Sequence, residues 1–100
     1  MKYVRYPTQE KIIEYNVLAL SLIRAKKADK AQVLSYQKIN EIVDACKNQN
    51  GDIYDKAIAL MKGILQKHPF ASGNRRTAFI VMKAFLADNN AKINIKEDPS

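Results

Sequence analysis

His68-Pro69-Phe70-Ala71 runs directly into Ser72-Gly73-Asn74-Arg75-Arg76-Thr77, and these are the residues whose types and spacing could do chemistry. A helix N-terminus exposes unpaired N–H groups and carries positive partial charge. A small-residue turn followed by two arginines can therefore hold phosphate with backbone and side-chain donors together. In that reading Ser72, Gly73 and Asn74 form an anion-binding turn for phosphate. Arg76 neutralises phosphate charge as a group is transferred, and Arg75 does the same from a neighbouring direction. An imidazole just upstream can take a proton from a hydroxyl at pH 7, which makes His68 a candidate general base. Each residue has a plainer role beside this one. A histidine at a helix end can be a C-cap or a core residue, Gly-Asn can be loop closure and N-cap, and Arg75 can be solvated.

The elements that position these residues follow from periodicity. Pro7-Thr8 before Gln-Glu-Lys reads as a capped helix start. Ile12, Ile13, Tyr15, Leu18, Ala19, Leu22 and Ile23 then give a first helix, from about Thr8 to Arg24, a wide apolar face. Ser35 is a second N-cap, with Leu34 and Ile39 spaced as a hydrophobic staple. Ile39, Ile42, Val43 and Cys46 continue that helix until Asn50-Gly51 stops it. Asp52 caps a third helix with a stripe of Tyr54, Ala57, Ile58, Met61, Ile64 and Leu65. Extending the stripe reaches His68 and points it toward the core. Pro69 ends that helix, and Phe70 buries its ring to anchor the loop. A fourth helix starts near Asn74, presents Ala78, Phe79, Met82, Phe85 and Leu86 on one face, and is apolar enough to be central. Asn89-Asn90 ends it, and Lys92 to Lys96 alternates like a short strand.

Composition bounds the possibilities. One hundred residues with 47% apolar content make one domain, residues 1–100, without a linker or internal repeat. The longest apolar run, Val17 to Ile23, is far too short to span a bilayer, and Met-Lys-Tyr-Val-Arg-Tyr-Pro lacks the apolar core of a secretory signal. A lone Cys46 excludes an internal disulfide framework, fits a reducing cytoplasm, and reads as a small buried hydrophobe. The net charge of +7 is uneven: no acidic residue lies between Asp55 and Asp88, while Lys56, Lys62, Lys67, Arg75, Arg76 and Lys83 all do. The motif therefore sits in an anion-attracting segment. A second basic run, Arg24, Lys26, Lys27 and Lys30, lies in an expected loop. Nucleic acid is the rival ligand for such charge, and a solvated basic surface is the plain alternative.

His68, Phe70, Gly73, Asn74 and Arg76 together resemble the Fic/Doc signature H-x-F-x-(D/E)-(G/A)-N-(G/K)-R. Arg75 keeps a cation where Fic enzymes have glycine and Doc has lysine. Phe79 is apolar where Fic enzymes usually carry a second arginine, so the chain is more similar to the Doc toxin branch. The resemblance implies an all-α, compact helical bundle with a central motif helix. It also implies a Doc-like kinase that moves phosphate from ATP to a hydroxyl of a translation elongation factor. His68 would deprotonate that hydroxyl, and an antitoxin partner would cover the site. A Fic-type AMP transferase, or a degenerate nucleotide- or nucleic-acid-binding module, is the alternative. Ser72 stands where the family has its acidic metal ligand; a hydroxyl is a much weaker magnesium ligand than a carboxylate. Asp52, Asp55 or another acid would have to approach in space to replace it. Family members also have a flap that aligns the target by strand addition, and Ala31-Gln32-Val33-Leu34 could form such an edge or be a plain connection. The closing Glu-Asp-Pro-Ser resembles the entry to a further helix that Doc-like proteins carry, so the expected fold lacks its C-terminal helix.

Overall fold

Four helices account for the regular structure of the computed structural model, which describes residues 3–22 and 30–91. They are α1 (Gln9–Leu22), α2 (Tyr36–Asn48), α3 (Ile53–Lys67) and α4 (Asn74–Asp88). The motif helix α4 packs between α1 and α3, and α2 closes the bundle against α3 and α1. Ile12, Ile39, Leu60, Ile64, Phe70 and Val81 form the centre of one shared core. The chain is thus an all-α bundle. No helix among the described residues is long and apolar enough to cross a membrane. Ile23, Arg24, the basic residues Lys26 and Lys27, the Lys92–Lys96 segment and the closing Glu-Asp-Pro-Ser lie outside the described residues.

Helix starts are where sequence and structure agree best. Thr8 Oγ1 accepts from the Lys11 N–H at 3.1 Å, Ser35 Oγ accepts from the Lys38 N–H at 3.1 Å, and Asp52 opens α3. Asp52 and Asp55 each take the other's backbone N–H, a reciprocal capping box at 3.0 and 2.9 Å. The preceding turn is equally closed. Lys56 Nζ donates to the carbonyls of Cys46, Lys47 and Gln49 at 3.3, 3.1 and 2.9 Å, and lies 5.4 Å from the centre of the Tyr6 ring. Cys46 is buried, and its Sγ donates to the Lys56 carbonyl at 3.4 Å. Burial pushes the thiol up to about 11 against the lowering pull of Lys56 and Lys47, so it is a packed hydrophobe at neutral pH.

The buried faces differ from those expected at several positions. In α1, Leu18 and Leu22 are exposed, and the inward face is Ile12, Asn16, Ala19 and Leu20. The helix is apolar around most of its circumference, so apolarity alone does not choose a side. In α3, Tyr54 and Ile58 are exposed while Ala57, Leu60 and Ile64 are buried. Close packing chooses this side: a Cβ on Gly63 would come within 2.9 Å of Ile42 Cγ2, so α2 seats itself where α3 has no side chain. In α4, Phe79 is half exposed, whereas Thr77 and Val81 are buried. Leu34 is exposed and forms no buried staple; its backbone is engaged elsewhere.

Candidate active site at the α3–α4 turn

The turn begins where α3 stops. His68 adopts a left-handed conformation (φ 46°, ψ 62°) and its N–H closes the helix onto the Ile64 carbonyl at 3.1 Å. This overturns the inward orientation expected for its side chain, which is exposed. Extending a helical stripe to residue 68 assumes helical dihedrals, and a positive φ swings the side chain off that face. The imidazole therefore stands at the rim of the turn, accessible to an incoming hydroxyl.

Pro69 and Phe70 then dive into the core, and Phe70 is 1% exposed. The Pro69 carbonyl accepts from the N–H groups of Leu34 and Ser35 at 2.8 and 3.3 Å. The Ala71 N–H donates to the Gln32 carbonyl at 2.9 Å. Val33 and Phe70 thus form an antiparallel bridge. Of residues 31–34, read from sequence as either a strand-like edge or a plain connection, only Val33 makes a bridge, and the Gln32 carbonyl and Leu34 N–H are spent on the motif turn of the same chain.

The sequence reads Asn74 either as a phosphate contact or as loop closure and N-cap. The N-cap is Gly73, in the left-handed region at φ 76° and with no side-chain cap bond, and Asn74 is the first residue of α4. The Asn74 amide instead closes the turn: Oδ1 accepts from the Phe70 N–H at 3.1 Å and Nδ2 donates to the Phe70 carbonyl at 2.8 Å. Gly73 is required twice over, by its positive φ and because a Cβ there would lie 2.9 Å from Leu20 Cδ2. The Thr77 N–H donates to the Gly73 carbonyl at 2.9 Å. The N–H groups of Gly73, Asn74 and Arg75 precede it and have no such partner within the helix.

Two buried polar residues that sequence reasoning missed hold this end of α4. Asn16 and Thr77 are 1% and 0% exposed. Asn16 Nδ2 donates to the Ser72 carbonyl at 2.9 Å and to Thr77 Oγ1 at 3.0 Å. The available signal was a lone asparagine at the helical register of Ile12, Ala19 and Leu20.

The charge around the turn suits an anion. Arg75 is exposed and Arg76 half-buried in the first turn of α4, which contains no acidic residue. A magnesium ion is less well served. Asp52 and Asp55 are committed to the capping box at the other end of α3, roughly 22 Å of helix away at 1.5 Å per residue. Among the described residues, no three His, Cys, Asp or Glu side chains gather so as to hold a metal ion. The turn thus fits a phosphate group, and its residues do not make a magnesium site.

A core-anchored His-Pro-Phe loop that opens a helix with an uncapped glycine and two arginines agrees with the result of the family comparison. The Fic/DOC family model matches residues 5–86, and the chain belongs to that family. The match is to the family as a whole, runs from before α1 into α4 and does not choose between branches. No curated protein and no solved structure gives a match. Membership suggests a Fic-type transferase with a protein as its substrate.

Proposed function

We propose that this protein is a Doc-like toxin-type kinase that transfers the terminal phosphate of ATP to a hydroxyl of a translation factor, and so works in the cytoplasm. The observation that carries the reading is the pairing of an exposed His68 with an α4 N-terminus whose N-cap, Gly73, has no side-chain cap bond among the described residues, at the two sides of one anchored turn. The N–H groups of Gly73, Asn74 and Arg75 would bind phosphate oxygens, with Arg75 and Arg76 balancing their charge. His68 would accept the proton of the attacking hydroxyl as that oxygen bonds to the terminal phosphorus; the bond to ADP breaks and ADP leaves. Arg75 supports phosphate over AMP transfer by resemblance alone, since Doc has a cation at this position where Fic enzymes have glycine. An antitoxin helix would find apolar surface on α1, where Val17, Leu18 and Leu22 are exposed.

Ser72 supports a second reading. With no carboxylate at the metal position, the turn could bind nucleotide without turnover. ATP labelled on the α or the γ phosphorus, incubated with candidate translation factors and magnesium, separates the possibilities. Label transferred only from the γ position is expected. Transfer from the α position would instead make the protein an AMP transferase. ATP binding without transfer of either label would favour the binding module. Duplex DNA binding that falls steeply with salt, in place of ATP binding, would move the reading to nucleic acid.

A further inference from the structure

We propose that Asn16 is a positioning residue for the anion site, acting through the Ser72–Gly73 peptide. The inference rests on the phosphate-binding reading above. Asn16 lies on α1, far from the motif in sequence, yet its Nδ2 meets the Ser72 carbonyl at 2.9 Å and Thr77 Oγ1 at 3.0 Å. Both amide hydrogens are thereby used, one on the turn and one on the helix that follows it.

The first of these bonds has a directional effect. A trans peptide sets its C=O and N–H on opposite sides of the chain. Drawing the Ser72 carbonyl inward to α1 therefore turns the Gly73 N–H away from α1. The left-handed φ of Gly73 then passes the chain into α4, so that the following N–H groups, beginning with Asn74, point along the open end of the helix. Freed from Asn16, the Ser72–Gly73 peptide can rotate and present a carbonyl dipole where an anion would need a donor. Glycine, which tolerates many dihedrals, does not resist that rotation by itself. The second bond, to Thr77, uses the other amide hydrogen and so satisfies the buried side chain.

A residue that merely fills the core would make a different pattern. Asparagine is costly to bury unless its amide is paired, and Ile12, Ala19 and Leu20 show that this face of α1 is otherwise apolar. Leucine would fill a similar volume without donating, so packing alone does not call for an amide.

The test compares wild type with Asn16→Leu and Thr77→Val by calorimetric titration of ATP and of inorganic tripolyphosphate, with thermal melts beside each. The Gly73 amide is followed by NMR in the wild type. Wild type should bind both probes and shift its Gly73 amide on binding. Asn16→Leu should melt cooperatively and bind roughly tenfold or more weakly, as for a lost anion-hole donor. Thr77→Val, which leaves the Asn16–Ser72 bond in place, should stay within about threefold of wild type. A folded Asn16→Leu with wild-type affinity would overturn the inference. So would a Gly73 amide that does not respond to bound ATP or tripolyphosphate, and this arm decides the matter even if Asn16→Leu fails to fold. Binding of tripolyphosphate but not ATP, with the Asn16→Leu loss intact, would retain Asn16's role and remove the ATP reading. Binding of neither probe would remove both.

Discussion

At the start of α3, Asp52 and Asp55 cap each other and Lys56 collects three carbonyls from the end of α2. At the end of α3, the helix that follows opens on Gly73 with no side-chain cap, and its first turn contains arginines instead of an acid. Both are short turns between helices that pack on each other, and both must deal with the unpaired backbone groups of two helix ends. The first satisfies them with its own side chains. The second has no side-chain cap bond at Gly73 and is held in shape by residues reaching in from α1 and from the segment before α2. The contrast separates a turn stabilised by its own side chains from one stabilised at a distance, the turn to which the proposed function assigns phosphate.

The largest expected effect falls on the open turn. His68→Ala should lower phosphate transfer by about 10²- to 10⁴-fold, the range for loss of a general base, while ATP affinity barely changes. Because the side chain is exposed, the melting free energy should move by less than about 1 kcal/mol. An unfolded variant would mean that the side chain packs after all. Next in size, Arg76→Ala should weaken ATP binding by about ten- to a hundredfold, the worth of one charge-assisted phosphate contact. Unchanged affinity in calorimetry would take Arg76 out of the site.

The closed turn should respond the other way round. Lys56→Met deletes three carbonyl contacts and should cost about 1 to 2 kcal/mol in urea unfolding, with ATP affinity untouched. A loss of ATP binding without a loss of stability would undo the comparison. The smallest effect is the most informative about metal. Ser72→Asp gives the open turn the acid it lacks and should stabilise it by roughly 0.3 to 1 kcal/mol through the helix dipole. If weak magnesium retention is the only deficit, the variant should also bind ATP more tightly when magnesium is present. A gain in stability with no metal dependence would argue that the chain binds its ligand for another purpose.

The closed turn was also the more legible of the two in sequence. Asp52 and Ser35 announce helix starts because the capping side chain is itself the signal, and it acts within three residues. The α2 face, Ile39, Ile42, Val43 and Cys46, was readable because polar residues fill the rest of its circumference. The α1 face was not, since apolar residues surround that helix and the buried register includes an asparagine. His68, Gly73, Arg75 and Arg76 could be picked out as a group by type and spacing. Their arrangement could not: the outward turn of His68 depends on a left-handed dihedral, and the Asn74 amide is consumed by the Phe70 backbone. Local patterns reveal local bonds, and this site depends on distant ones.

The bond from Asn16 to Ser72 spans 56 residues of chain and that to Thr77 spans 61. Closing such loops costs conformational entropy before any contact is gained, and contacts of high sequence separation slow folding. The motif turn should therefore acquire its final shape late, after α1 has docked on α4, however early α3 and α4 become helical. If the turn binds phosphate as proposed, a synthetic peptide of residues 68–79 should have the motif's letters and bind phosphate only weakly. Grafting those residues onto another helical hairpin should fail in the same way unless the asparagine beneath them is grafted too.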